Sequence, residues 1–140
     1  MAYLPTELRA RLEAADRQRC SDCQTSAAIS GILLTTDHVA PMVLGGATAF
    51  ENLCLARYSR NQYTAAQALA TDPLTGETVA LYHPRQAVWG AHFGWSADGT
   101  QIEGRAAIGR ATIIAVRLKH SVIVSARARR VSAGWHPPLD

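Results

Sequence analysis

Between Asp37 and Asn61 the chain carries residue types that can do chemistry together: Asp37-His38, then Gly45-Gly46, then Glu51-Asn52-Leu53, then Asn61. An imidazole titrates at about 6.5 and can exchange a proton at neutral pH once a neighbour fixes its tautomer. Carboxylate and amide oxygens are donor types that a hard cation takes. Upstream, Cys20-Ser21-Asp22-Cys23 has the spacing that lets two thiolates grip one zinc, although a structural zinc takes four ligands. A redox use of this pair would want a thioredoxin-like βαβ setting, which the surrounding sequence lacks. Taken singly, an Asp-His pair is more often a solvated turn than an active site, and one CxxC is a weak signal.

These residues need elements to hold them. Thr6 to Arg19 reads as a helix capped by Thr6, with Leu8, Leu12 and Ala15 on one face. Ile32 to Thr36 has the length and branching of a strand, and Pro41 stops any regular continuation. Successive strand residues face opposite ways, so Asp37 and His38 share one site only if the pleat breaks there. Met42 to Phe50 is a loop, Asn52 to Leu55 a second strand, and Arg57 to Ala70 a helix rich in Ala, Gln and Leu. Strand, loop, strand, helix makes a compact ββα unit. Further on, Thr78 to Tyr82 is a strand and Gly94 to Gly104 a hairpin turning at Asp98-Gly99. Ala106 to Leu118 is a helix with Ala111, Ile114 and Leu118 inward. Ser121 to Ala133 is another, with Val124 and Val131 inward and Arg127 and Arg130 outward. Trp89, His92, Phe93 and Trp95 could stack on bases, but at this density they more often form a small core.

Composition sets the frame. At 140 residues one domain is expected. An apolar fraction of 48% with 18% charged residues fits a globular class rather than disorder. No apolar run reaches the roughly 18 to 20 residues that span a bilayer. Met1 to Arg11 lacks the apolar core of a secretory signal, so no membrane partner and a cytoplasmic location are expected. Net charge is +3, and seven Arg or Lys from Arg105 onward face a single acid, Asp140. Such an end suits a polyanion, although from charge alone a solvated helix face is the commoner explanation. Three cysteines, an odd number, favour thiols or metal sites in a reducing compartment over a disulfide framework.

In order and spacing, Cys20-x-x-Cys23, Asp37-His38-Val39-Ala40-Pro41, Leu44-Gly45-Gly46, Glu51-Asn52-Leu53 and Asn61 resemble the HNH endonucleases of the ββα-metal type. The resemblance continues through Asp72 to Glu77, His83-Pro84-Arg85, Trp89, His92-Phe93-Gly94-Trp95, Gly109 to Thr112 and Gly134 to Pro138. It implies an α+β fold: a ββα-metal core at about 19–71, preceded by a helix and followed at about 72–140 by a β-hairpin and helices. It further implies DNA phosphodiester hydrolysis, with His38 as general base and Asn52 orienting it. One divalent ion, magnesium or manganese, would be held by Asp37 and Asn61.

This sequence departs from the family pattern where relatives carry a second CxxC, since Arg57 and Arg60 stand there. Guanidiniums repel zinc, so no structural zinc is expected on Cys20 and Cys23, and the roughly 10 kcal/mol or more that such an ion gives small folds must be offset elsewhere. Arg57, Arg60 and Arg85 are candidate contacts to the DNA backbone. Met42 and Thr64 replace basic residues of relatives, which raises the alternative of a catalytically weak or inactive HNH-like domain that binds nucleic acid.

Overall fold

Thr6–Ala15 forms the first helix, α1, entered through Pro5, whose ring presets the backbone angle at the helix start. Thr6 lies inside the helix rather than at its cap, and no side chain caps it. The helix stops at Ala15, short of the expected Arg19, because Arg17 and Gln18 both take positive φ, at 54° and 57°. Of the expected apolar face only Leu12 is fully buried, and Ala15 is exposed.

The computed structural model describes residues 4–57 and 68–138. Among these the fold is mixed α+β, with five α-helices and three two-stranded antiparallel sheets. The chain divides into two compact units. The first is Met1–Ala68 with His83–Ala87, and the second is Leu69–Tyr82 with Val88–Asp140.

In the first unit the chain leaves α1 through the cysteine turn and a short helix, Ala27–Ser30 (α2), capped by the Ser26 side chain. Strand β1, Leu34–His38, pairs antiparallel with β2, Leu53–Arg57, in the register Leu34 to Arg57 through His38 to Leu53. The first strand therefore starts later than expected and runs through Asp37 and His38. The second extends to Arg57, which belongs to no helix. Arg9 ties α1 to β1, its guanidinium donating to Thr36 Oγ1 at 2.8 Å and to the Leu34 carbonyl at 3.0 Å. Asp16, just past α1, accepts from the Leu55 amide at 2.8 Å and pairs with Arg85 through its other oxygen. Arg85 and Arg11 lie against Phe50, their guanidinium carbons 5.0 and 3.7 Å from the ring centroid.

In the second unit β3, Leu69–Thr71, pairs with β4, Thr78–Ala80. The helix expected to reach Ala70 has thus given way to a strand by Leu69; its middle lies outside the described residues. Asp72 closes this hairpin. Its carboxylate accepts from the Leu74 amide and Thr75 hydroxyl, and Arg110 grips both oxygens at 2.9 Å. The Arg110 hydrogen bonds hold the buried Asp72 carboxyl well below the usual carboxylate range.

A single helical turn, Trp89–His92 (α3), leads into β5, Phe93–Trp95, which pairs with β6, Ile102–Gly104, around the expected turn at Asp98-Gly99. Phe93, fully buried, meets Tyr82 edge-on at 5.1 Å and Trp89 at 5.5 Å, and Trp89 continues to Trp95 at 5.6 Å. Phe93 and Tyr82 are buried and Trp89, His92 and Trp95 half-buried, so the cluster packs largely on itself. Helix α4, Ala107–Ala115, buries Gly109, Thr112 and Ile113 as well as the expected Ala111, and leaves Ile114 62% exposed; Leu118, past the helix end, is buried as expected. Gly109 is required there, since a Cβ would stand 1.9 Å from the His92 carbonyl oxygen.

Helix α5, Ser121–Ser132, corrects a second expectation. Arg127 is fully buried, donating to the Thr100 carbonyl at 2.9 Å with its guanidinium 5.0 Å from the Trp95 ring. The period explains this: Arg127 follows Val124 by three and precedes Val131 by four, which places it on the inward face. His136 meets Trp95 edge-on at 4.3 Å, and burial, followed by the nearby charges of Arg127 and Arg130, pushes its pKa down to about 4.

Two outcomes follow from these buried charges. Asp16→Ala leaves Arg85 and the Leu55 amide without their carboxylate and is expected to cost about 3 kcal/mol or more in urea unfolding, with Asp16→Asn recovering part. His136 binds its proton only in the unfolded chain between about pH 6.5 and 4. Its contribution is therefore intact above about 6.5 and is lost as the pH falls to 4. The wild-type minus His136→Gln difference in urea midpoint, measured from pH 7 to 4, should shrink over that window.

Candidate active site

The loop joining β1 to β2 is where the sequence candidates meet. Pro41 ends β1's continuation and opens a 3₁₀ turn, Met42–Leu44, which closes on Gly45 at φ 90°. A second 3₁₀ turn, Phe50–Asn52, feeds directly into β2. Asn52 precedes the second strand instead of starting it, and that position lets its side chain reach back across the loop. Its Oδ1 accepts from the Ala40 amide at 2.8 Å, and its Nδ2 donates to the Ala40 and Ala47 carbonyls at 3.1 and 2.8 Å. One amide thus satisfies three backbone groups that no strand partner serves. Gly46 makes room for it: a Cβ there would stand 1.8 Å from the Ala40 oxygen and 2.9 Å from Asn52 Nδ2.

His38, the last residue of β1, is half-buried, and its Nε2 lies 2.9 Å from Thr48 Oγ1 on the same loop. In the tautomer that donates from Nε2 to Thr48, the Nδ1 lone pair is left to take a proton. Burial lowers the His38 pKa below its ordinary value, which keeps the ring in the neutral, proton-accepting form at neutral pH. Thr48 was not among the sequence candidates; no motif marks it, and it is found only through the loop's shape.

Asp37 is also half-buried and pairs in register with Cys54. The strand runs regularly through Asp37 and His38, so the expected pleat break is not there and the two side chains leave opposite faces of the ribbon. Asn61, the other expected metal ligand, lies outside the described residues, as do Arg60 and Thr64. Among the described residues no group of three or more His, Cys, Asp or Glu side chains is arranged to hold a metal.

The cysteine turn sits on the other end of β2. Arg19 and Ser26 bridge its ends, the Cys20 amide donates to the Thr25 carbonyl at 2.9 Å, and the Ser21 amide donates to the Leu55 carbonyl at 2.9 Å. Cys20, Cys23 and Cys54 are all free thiols and all buried. A hydrogen bond between the Cys20 and Cys23 sulfurs raises the first thiol and lowers the second, and the charge of Arg57 favours the thiolate of both. Cys54 is pushed well up by burial.

Two of the three arginines expected to contact DNA are committed elsewhere. Arg57 is only 6% exposed and faces the Cys20–Cys23 pair. The Arg85 side chain is 9% exposed and paired with Asp16. In the basic stretch from Arg105 onward, Arg110 is held by Asp72 and Arg127 is buried.

Comparison of the chain with family models, curated proteins and solved structures gives no match.

Removing the Asn52 amide should loosen the loop before it loosens anything else. Asn52→Ala is expected to cost about 1–3 kcal/mol in urea unfolding and to abolish hydrogen-exchange protection at the Ala40 amide, while amides in the second unit keep theirs.

Proposed function

We propose that this chain is a metal-dependent endonuclease of the HNH, ββα-metal type, hydrolysing DNA phosphodiester bonds. The observation that carries the reading is the loop between β1 and β2, where Asn52 spans the backbone and His38 is held at the strand end by Thr48. The ordered pieces of the sequence, from Cys20-x-x-Cys23 to Asn61, support it independently.

In this reading His38, neutral through burial, takes the proton of the attacking water at the ring nitrogen not occupied by Thr48. Thr48 fixes the ring and Asn52 fixes the loop that carries Thr48. Asp37 offers a hard oxygen at the end of β1, the donor type a magnesium or manganese ion takes, and Asn61 would offer another. The ion would neutralise charge on the phosphate and the departing oxygen. Asp37 and His38 leave opposite faces of β1 as it is paired, so a site that uses both requires the strand end to turn out of that register. The described thiol turn carries Arg57 where a zinc knuckle would need a ligand, which supports a core that does without structural zinc.

One observation favours the second reading, a weak or inactive HNH-like domain that binds nucleic acid. With Arg57 and Arg85 buried, phosphate contact falls to fewer side chains than the sequence suggested.

The test is nicking of supercoiled plasmid with magnesium or manganese. Metal-dependent nicking is expected, with His38→Ala lowering the rate by about 10² to 10⁴. The base works deprotonated, so the rate should hold at neutral pH and fall only below about pH 6.5, on a limb that His38→Ala removes. Nicking that survives chelation or the His38→Ala change would sink the reading. Salt-sensitive electrophoretic shifts without cleavage would favour the second.

A further inference from the structure

Two of the three tryptophans, Trp89 and Trp95, pack on each other in the second unit, whereas Trp135 is 59% exposed. Its backbone is fixed on both sides. Helix α5 ends in a left-handed turn at Gly134, φ 78°, where the Gly134 amide returns to the Val131 carbonyl at 3.0 Å and the Trp135 amide to the Arg130 carbonyl at 2.9 Å. On the other side His136 is buried and set edge-on against Trp95 at 4.3 Å. The fold thus holds a large apolar ring in water, beside the last turn of a helix. The outer face of that helix carries Val122, Ser125, Arg129 and Ser132, spaced by three and four and all exposed, and the exposed Lys119 precedes it. From Gly104 to Leu139 there are seven Arg or Lys and no Asp or Glu. Arg110, held by Asp72, and the buried Arg127 account for two of the seven. Cations near a helix C-terminus complement its dipole, which accounts for Arg129 without a ligand but leaves the exposed indole unexplained.

We propose that the outer face of α5, with Lys119 before it and Trp135 after it, binds single-stranded nucleic acid through its phosphates and one stacked base, without reading sequence. Lys119 and Arg129 meet phosphates, and the hydroxyls of Ser125 and Ser132 donate to phosphate oxygens. An unpaired base lies on the Trp135 ring, a contact open to every base because each has a π-face. A duplex keeps its base faces covered by stacking, so the indole selects the single strand. An acidic peptide would satisfy the cations and leave the ring without a planar partner. An anionic bilayer would ask for a broad apolar face, and this one offers Val122 and a single indole. Because the backbone of Trp135 is already fixed, little ordering is required when the base arrives. The surface lies wholly in the second unit, while the His38 loop lies in the first, so the proposal stands apart from the nuclease reading.

The experiment is a fluorescence-anisotropy titration of the full chain against labelled oligothymidylate and oligouridylate, with chelator present so that no strand is cut. Binding to either, weakening with salt, is expected. Trp135→Ala should lower the affinity by about fivefold or more, and Trp135→Phe should recover most of the loss. Arg129→Gln and Lys119→Gln should each reduce the slope of log affinity against log salt by about 0.7, a readout that a merely structural role would not move. Indole fluorescence should be quenched on binding in the wild type and not in Trp135→Phe. Wild-type affinity in Trp135→Ala, equal affinity for a duplex of the same length, or Trp135-dependent binding to phosphatidylserine vesicles without oligonucleotide binding would each overturn the proposal. Should Trp135→Ala not fold, the quench and the two salt slopes decide. No step of this readout needs cleavage, so it and the plasmid-nicking test fail separately.

Discussion

All five residues of β2 are buried, and a strand with no solvated face must have each of its polar groups answered from inside the protein. The rest of the first unit is arranged around that demand. β1 supplies one edge of the ladder. On the other edge, Asp16 receives the Leu55 amide, and the Ser21 amide reaches the Leu55 carbonyl. The buried guanidinium at the strand's end is met by the cysteine turn. The strand's start is met by the loop that Asn52 spans. The turn, the end of α1 and the candidate catalytic loop are therefore all fastened to one five-residue segment.

Both units solve the problem of a buried carboxylate in the same way. Asp16 and Asp72 each combine a backbone amide with an arginine, and each stands where one element ends and the chain changes direction. An ion pair of this kind gains little over a well-packed apolar pair, but it fixes geometry because neither partner tolerates being left alone. Two of the chain's arginines are used in this fashion, and because each pair is neutral it withdraws a cation from the surface without changing the net charge of +3.

Local pattern made much of the second unit legible. The Asp98-Gly99 turn, the aromatic core and the two C-terminal helices follow from glycine conformation, ring density and period. Arg127 was misread because its charge was weighed above its spacing from Val124 and Val131. The candidate loop was legible as a motif, and its glycine pair as a necessity, yet Thr48 was not, since a hydroxyl ten residues from His38 has no local signature. Arg57 and Arg85 were read as surface cations because arginine usually is one; their partners, Cys20, Cys23 and Asp16, lie far away along the chain. The helix drawn to Ala70 failed at its end because alanine-rich propensity is weaker than a hairpin that Asp72 closes.

The close approach at Gly46 divides the loop into two halves of unequal freedom. At Gly46 the backbone is pressed against Ala40 and Asn52, and a single added methyl has nowhere to go. From Met42 to Leu44 it carries three exposed apolar side chains on one short turn, with open space around the neighbouring Gly45. The side chains of Met42, Val43 and Leu44 can therefore vary with the His38 setting kept, whereas Gly46 admits no larger residue.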